Sequence, residues 1–137
     1  ATSGLKGADR ISGHACNLLD PAEPFPTGFD AIWMSQFLDC FSEDQVISIL
    51  TRAAASMQTG SKLYIMETLW DKQKFETASY CLAQTSIYFT AMANGNSKMF
   101  YSGDLERLVG QSGLMVEKLY PNLGLGGHSI MQCVKKN

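Results

Sequence analysis

No stretch of this chain approaches the roughly 20 consecutive apolar residues that a membrane helix needs, so no membrane role is expected. Its opening, Ala1-Thr-Ser-Gly-Leu-Lys-Gly7, lacks the apolar centre of a secretion signal. The four cysteines, Cys16, Cys40, Cys81 and Cys133, form no Cys-x-x-Cys pair. They read as free thiols in a reducing cytoplasm. The two histidines, His14 and His128, lie far apart with no metal-ligand spacing, so no metal site is expected. The net charge is −2, with acids and bases spread along the chain and no basic patch, which argues against a nucleic-acid partner. A Gly-x-Gly-x-x-Gly fingerprint is missing too, which speaks against a nucleotide-dependent oxidoreductase. Gly124-Leu-Gly-Gly127 is rich in glycine, but no helix follows it, and it reads as a loop. No repeat or low-complexity segment is visible.

What remains is a chain of 137 residues, a length that suits one domain, with 45% apolar content to fill a core. Residues 29–45 organise it. Phe29, Ala31, Ile32, Trp33 and Met34 form a short apolar run, the pattern of a strand buried on both faces of a parallel sheet. The chain then crosses Ser35, Gln36, Asp39 and Cys40. Ser42 and Gln45 have the spacing of a capping box that opens a helix. Ligands in open α/β sheets sit outside the carboxyl ends of the strands, and the crossing at 35–40 belongs there.

Residues 1–9 read as a frayed lead-in, residues 10–16 as a short strand weakened by Gly13, and residues 21–26 as a stiff proline-rich loop. The helix from Glu43 to about Met57 carries Val46, Leu50, Ala53 and Met57 on one stripe, widened by Ile47 and Ala54. Residues 62–69 read as a second buried strand with Glu67 near its end. Residues 75–93 form a long helix that is apolar on more than one side, the pattern of a helix packed from several directions. Asn94 and Asn96 are turn formers. Ser102 caps a short helix with Leu105, Leu108 and Val109 inward and Gly113 as its stop. Residues 114–119 alternate as an edge strand, 120–127 form a loop, and 129–134 the last strand. The last two strands are joined with no room for a crossover, so they run antiparallel. The architecture is α/β, a mostly parallel sheet with an antiparallel last strand, flanked by helices.

Three patterns in this order carry a resemblance: Asn17-Leu18-Leu19-Asp20 before a proline-rich loop, Phe29-Asp30-Ala31-Ile32-Trp33-Met34 followed by Phe41-Ser42-Glu43-Asp44, and Leu63-Tyr64-Ile65-Met66-Glu67. Together they resemble the C-terminal half of the S-adenosylmethionine-dependent O-methyltransferases, the branch of plant caffeate and flavonoid enzymes and their bacterial small-molecule relatives. The similarity covers roughly residues 10–135 and implies a partial Rossmann-like sheet. It makes residues 1–137 the C-terminal part of a catalytic domain. The glycine-rich cofactor loop, the ribose-binding acid and the dimerisation domain of the family have no counterpart in this chain.

The resemblance implies roles residue by residue. Asn17 and Leu18 match the positions that hold the adenine, and an Asn oxygen still accepts from its amino group. Asp39 matches the catalytic His, and Ser35 matches a Lys four residues before it. Glu67 matches the Glu that orients the His. Met99 stands near the position of a second Glu and cannot take its role. Asp39 is thus either a general base or a polar residue at a turn, and Glu67 either a site residue or a partnered surface carboxylate. Trp33, Met34, Tyr88, Phe89, Met92 and Met99 line an aromatic acceptor pocket or are plain core. His128 points into the cleft or is structural.

The expected activity is methyl transfer to a hydroxyl of a small acceptor of aromatic or polyketide type, with S-adenosyl-L-methionine as cofactor of the parent protein. The chain alone is expected to bind that cofactor weakly or not at all and to be inactive. The alternative is a noncatalytic binding or assembly module. A homo-oligomer is expected because the organising strand would leave an apolar edge open.

Overall fold

A computed structural model describes residues 6–93 and 95–136. Part of the expected lead-in and the turn residue Asn94 lie outside the described residues. The elements in order are β1 (Ala31–Ser35), α1 (Glu43–Ser56), β2 (Lys62–Glu67), α2 (Glu76–Tyr88), α3 (Ser102–Gln111), β3 (Leu114–Leu123) and β4 (His128–Lys135). A 3-10 turn spans Leu38–Cys40, and a second spans Trp70–Lys72. One π-helical turn, Phe89–Ala93, extends α2.

The sheet order is β1-β2-β4-β3. β1 and β2 pair in parallel, with Ala31 opposite Lys62 and Ser35 opposite Met66. β4 is antiparallel to both of its neighbours, so three strands run one way and the last strand is inserted against them. This is the expected α/β architecture with its reversed final strand. A four-residue turn joins β3 to β4, and such a turn permits only antiparallel pairing.

α1 starts where its sequence says it should. The Ser42 hydroxyl accepts the Gln45 N–H, and the Gln45 side chain accepts the Ser42 N–H at 3.0 Å, a reciprocal capping box. Val46, Ile49, Leu50 and Ala53 then meet Leu63, Ile65, Met131 and Cys133 of the sheet and Leu105, Leu108 and Val109 of α3 in one core. Gly113 stops α3 with a φ of 77°, a conformation that glycine adopts without strain.

Several expectations fail, most of them because no neighbour covers the segment among the described residues. Residues 10–16 form no strand, and residues 11–15 are exposed. A strand exists only through a ladder partner, and none lies beside this segment among the described residues. β1 is not buried on both faces. Ile32 and Met34 face the core, while Ala31, Trp33 and Ser35 are exposed and Trp33 is 56% open. β2 alternates likewise: Leu63, Ile65 and Glu67 are buried, Lys62, Tyr64 and Met66 half-buried. The helix over 75–93 is not packed from several directions. No residue of α2 is buried, and Tyr80, Ile87, Tyr88 and Met92 are each more than 60% exposed. Ser102 does not cap α3 but is its first residue. The Asp71 carboxylate supplies the cap instead, accepting the Ser102 N–H at 2.8 Å and its hydroxyl at 2.6 Å. β3 runs on to Leu123, so the loop expected over 120–127 shrinks to a turn.

Candidate active site

The carboxyl ends of β1 and β2 meet the start of β4. β1 hands over to Gln36, whose φ of 49° lies in the left-handed region. That conformation costs a non-glycine residue about 1–2 kcal/mol. A hydrogen bond from the Gln36 N–H to the Met66 carbonyl, 2.8 Å, holds it there. The reversal aims the next two backbone donors at one oxygen. The Phe37 and Leu38 N–H groups donate to Glu67 Oε1 at 3.2 and 3.1 Å. They open the Leu38–Cys40 turn, where N–H groups have no partner of their own.

Glu67 is there by strand parity. Leu63 and Ile65 alternate inward, and Glu67 follows them into the interior at 2% exposure. Burial pushes its carboxyl up to about 8, the charge of Asp39 adds to the rise, and the two N–H groups only partly oppose it. Burial and the Asp39 charge thus favour the neutral, protonated form of Glu67. Because Oε1 accepts both N–H groups, the proton belongs on Oε2. Asp39 is half-buried and its carboxyl is also raised, chiefly by burial; the Cys40 thiol, donating at 3.6 Å, works against the rise. Burial pushes the Cys40 thiol up in turn, and the charges of Asp39 and Glu67 add to it. The charge of Asp39 is felt at Glu67, which makes ionising both carboxyls costly.

Residues 97–99 close the rim. The Lys98 N–H donates to the Asp39 carbonyl at 3.0 Å. The Lys98 ammonium turns instead to Glu43, 2.8 Å away, which Arg107 also reaches at 2.8 Å. Those two bonds hold the Glu43 carboxyl below its ordinary range. The Thr68 hydroxyl donates to the Met99 sulfur at 3.5 Å, and the Met99 N–H donates to the Ser86 hydroxyl at 2.9 Å.

The predicted residues thus separate. Asp39 and Glu67 come together, with Met99 at their rim. Met34 is 5% exposed inside the core. Phe89 is half-buried beside Tyr88, with ring centres 5.8 Å apart, while Met92 is 73% exposed. Ser35 is exposed at the end of β1. His128 opens β4 and packs over Gly126 of its own turn, so closely that a Cβ there would come within 2.5 Å of the ring. Gln73 ties that turn down, donating to the carbonyls of Leu69 at 2.8 Å and Gly127 at 3.0 Å.

Asn17 and Leu18 stand apart on the flank of α1. Leu18 packs on the core edge, and a cleft of about 240 Å³ lies between Leu18, Leu19 and Pro21 and the Asp44, Gln45 and Ser48 side of α1. Drug-sized ligands take about 300–1,000 Å³, so this cleft is too small to enclose one. The Asn17 oxygen accepts the Leu19 N–H at 3.0 Å, and its amide nitrogen makes no hydrogen bond among the described residues.

Sequence reasoning missed Ser129 and Arg52. Ser129 faces Glu67 across the β2–β4 ladder, 1% exposed, its hydroxyl without a hydrogen-bond partner among the described residues. Strand pairing 62 positions away is invisible to local pattern. Arg52 did leave a signal. It lies three residues after Ile49 on the buried side of α1, where a charge needs a reason. Among the described residues no group of His, Cys, Asp and Glu is arranged to hold a metal, and no helix is long and apolar enough to cross a membrane.

No family model matches the chain, and no curated protein does. Solved structures do. The mitomycin 7-O-methyltransferase MmcR aligns at 22% identity and a TM-score of 0.76 over 94% of this chain and 35% of its own. TnmH aligns at 19% identity and 0.79 over 97% of this chain and 38% of its own. The O-methyltransferase NcsB1 of neocarzinostatin biosynthesis, solved with S-adenosyl-L-homocysteine and 1,4-dihydroxy-2-naphthoic acid, aligns at 19% identity and 0.69 over 88% of this chain and 33% of its own. The chain spans between 33% and 38% of each of these structures. At these identities the likeness is one of fold: this chain has the fold of a section of small-molecule O-methyltransferases.

Proposed function

We propose that this chain is the C-terminal part of the catalytic domain of an S-adenosylmethionine-dependent O-methyltransferase that acts on a hydroxyl of a small acceptor. The observation that carries the reading is the carboxyl pair Asp39 and Glu67 at the carboxyl ends of two parallel strands, in a fold shared with such enzymes. The cofactor supplies an activated methyl group on a cationic sulfonium. The chain's residues supply position and a proton acceptor. Glu67, neutral and fixed by two backbone donors, keeps its proton and leaves Asp39 as the ionised member. Asp39 takes the acceptor's hydroxyl proton, with a basicity raised by burial. Met99 and Thr68 form the wall beside it, and Asn17 and Leu18 meet the adenine end.

The test is Asp39→Asn in the longer enzyme that this reading requires. It keeps size and removes basicity. General bases contribute on the order of 10²–10⁴ in rate, and a carboxylate is a weak one, so turnover should fall at least about tenfold with cofactor affinity little changed. Unchanged turnover across a pH series leaves positioning alone as the mechanism. A second reading, a noncatalytic assembly module, is favoured by the exposed apolar side chains of β1 and α2.

A further inference from the structure

We propose that Arg52 is a positioning residue for the cofactor: it latches residues 17–25 onto α1 and thereby sets where Asn17 and Leu18 stand. This rests on the methyltransferase reading of those two residues.

Arg52 is only 9% exposed on the flank of α1. Its two terminal nitrogens donate to the carbonyls of Glu23, at 3.0 Å, and Leu18. Its guanidinium lies 4.7 Å from the centre of the Phe25 ring. Neither hydrogen-bonded group is a carboxylate. The cation is spent on backbone oxygens at both ends of one loop, a task that suits the rigid fork of arginine and not the point charge of lysine. Its Nε is buried with no hydrogen bond among the described residues. An apolar side chain would continue the stripe of α1 without that desolvation cost. The arginine therefore serves the loop rather than the core.

The loop it grips is already closed on itself. The Asn17 N–H donates to the Glu23 carboxylate at 2.7 Å, the Leu19 N–H to the Asn17 side chain at 3.0 Å, and the Ala22 N–H to Asp20 at 2.9 Å. Gripping Leu18 and Glu23 thus fixes the whole unit. The Asn17 side chain keeps its amide donor and one oxygen lone pair. A donor beside an acceptor matches an adenine edge, which offers an amino group beside a ring nitrogen.

Two variants test the latch. Arg52→Met keeps the stem and drops the fork; Arg52→Lys keeps the charge and holds the test if the Met variant does not fold. Amide hydrogen exchange on the chain itself needs no cofactor. The Asn17, Leu19 and Ala22 amides should exchange about tenfold faster in Arg52→Met and to an intermediate degree in Arg52→Lys, with the Ile49 and Leu50 amides of α1 unchanged. Equal exchange in all three proteins overturns the latch. The second measurement is S-adenosyl-L-homocysteine affinity in the longer enzyme, for Asn17→Ala, Arg52→Met and both together. Each single change should weaken binding about tenfold, and the double change no more than either, because Arg52 acts through the loop. Additive losses overturn that route. If Asn17→Ala leaves affinity untouched, the adenine reading of the loop fails, while hydrogen exchange still decides the latch.

Discussion

Glu67 occupies the third inward position of β2, after Leu63 and Ile65, and its carboxyl is raised to about 8. The ordinary glutamate value is about 4.3. Between these two values the unfolded chain has lost the proton and the native state keeps it. The native state then binds more protons, so stability falls as pH rises through this window and levels off above about 8. Asp39, raised as well, pulls in the same direction. Glu67→Gln keeps an oxygen for the Phe37 and Leu38 N–H groups and does not titrate. Urea unfolding at pH 5 and pH 8 should show a loss on the order of 1–3 kcal/mol in the natural chain, largely absent from Glu67→Gln. An equal pH dependence in both would mean that Glu67 is ionised in the folded state. Cys133 marks the opposite use of burial. Fully buried in the core, its thiol is pushed up to about 12 and stays inert.

At the scale of elements, α3 shows how a helix end can be held by a residue distant in sequence. Ser102 has the chemistry of a cap but stands one position too late, because Tyr101 occupies the cap position with extended backbone. Asp71, in the Trp70–Lys72 turn, fills the role for both the N–H and the hydroxyl of Ser102. Burial alone would raise the Asp71 carboxyl, yet Ser102 and Lys72 together hold it below its ordinary range. The negative charge also suits the helix N-terminus. Asp71→Ala should cost about 1 kcal/mol, within the 0.5–2 range of lost caps, and lower the melting midpoint by a few degrees. Ser102→Ala should cost less, because its N–H still reaches Asp71. A thermal melt with that order reversed would place the cap on the serine. The same turn stacks Trp70 on Tyr101, ring centres 5.3 Å apart, so the two segments hold each other by packing as well.

For the whole molecule, the decisive feature is a sheet covered on one face. α1 and α3 fill the inner side. The outer side carries Trp33 against Tyr64, ring centres 5.8 Å apart, and a polar ladder in which Lys62 and Gln132 meet Glu117. Beside it β1 is an edge strand with no ladder partner on its outer side among the described residues, and Phe75 at the start of α2, with Tyr80, Ile87 and Tyr88 on it, are each more than 60% exposed. Apolar surface and an unpaired strand edge both favour association. The isolated chain should therefore self-associate. Light scattering over a concentration series should give a mass above that of one chain, and Trp33→Lys should shift it toward the monomer. A monomeric mass at every concentration rejects this.

The amino-acid sequence alone determined what rests on neighbours within a few positions. The capping box of Ser42 and Gln45 starts α1 where it should, and the apolar run from residue 62 places Glu67 near the end of a strand. The short connection before β4 forces the reversed last strand. The tertiary structure decided what depends on partners far along the chain. Residues 10–16 are not a strand because no ladder lies beside them. α2 is apolar on more than one side yet exposed because nothing described covers it. Asp71 rather than Ser102 caps α3, Ser129 faces Glu67, and Arg52 grips a loop about 30 residues before it. Hydrophobic period and capping chemistry are local and can be read along a chain. Pairing and burial are free energies of contact between distant segments, and the fold alone sets which segments meet.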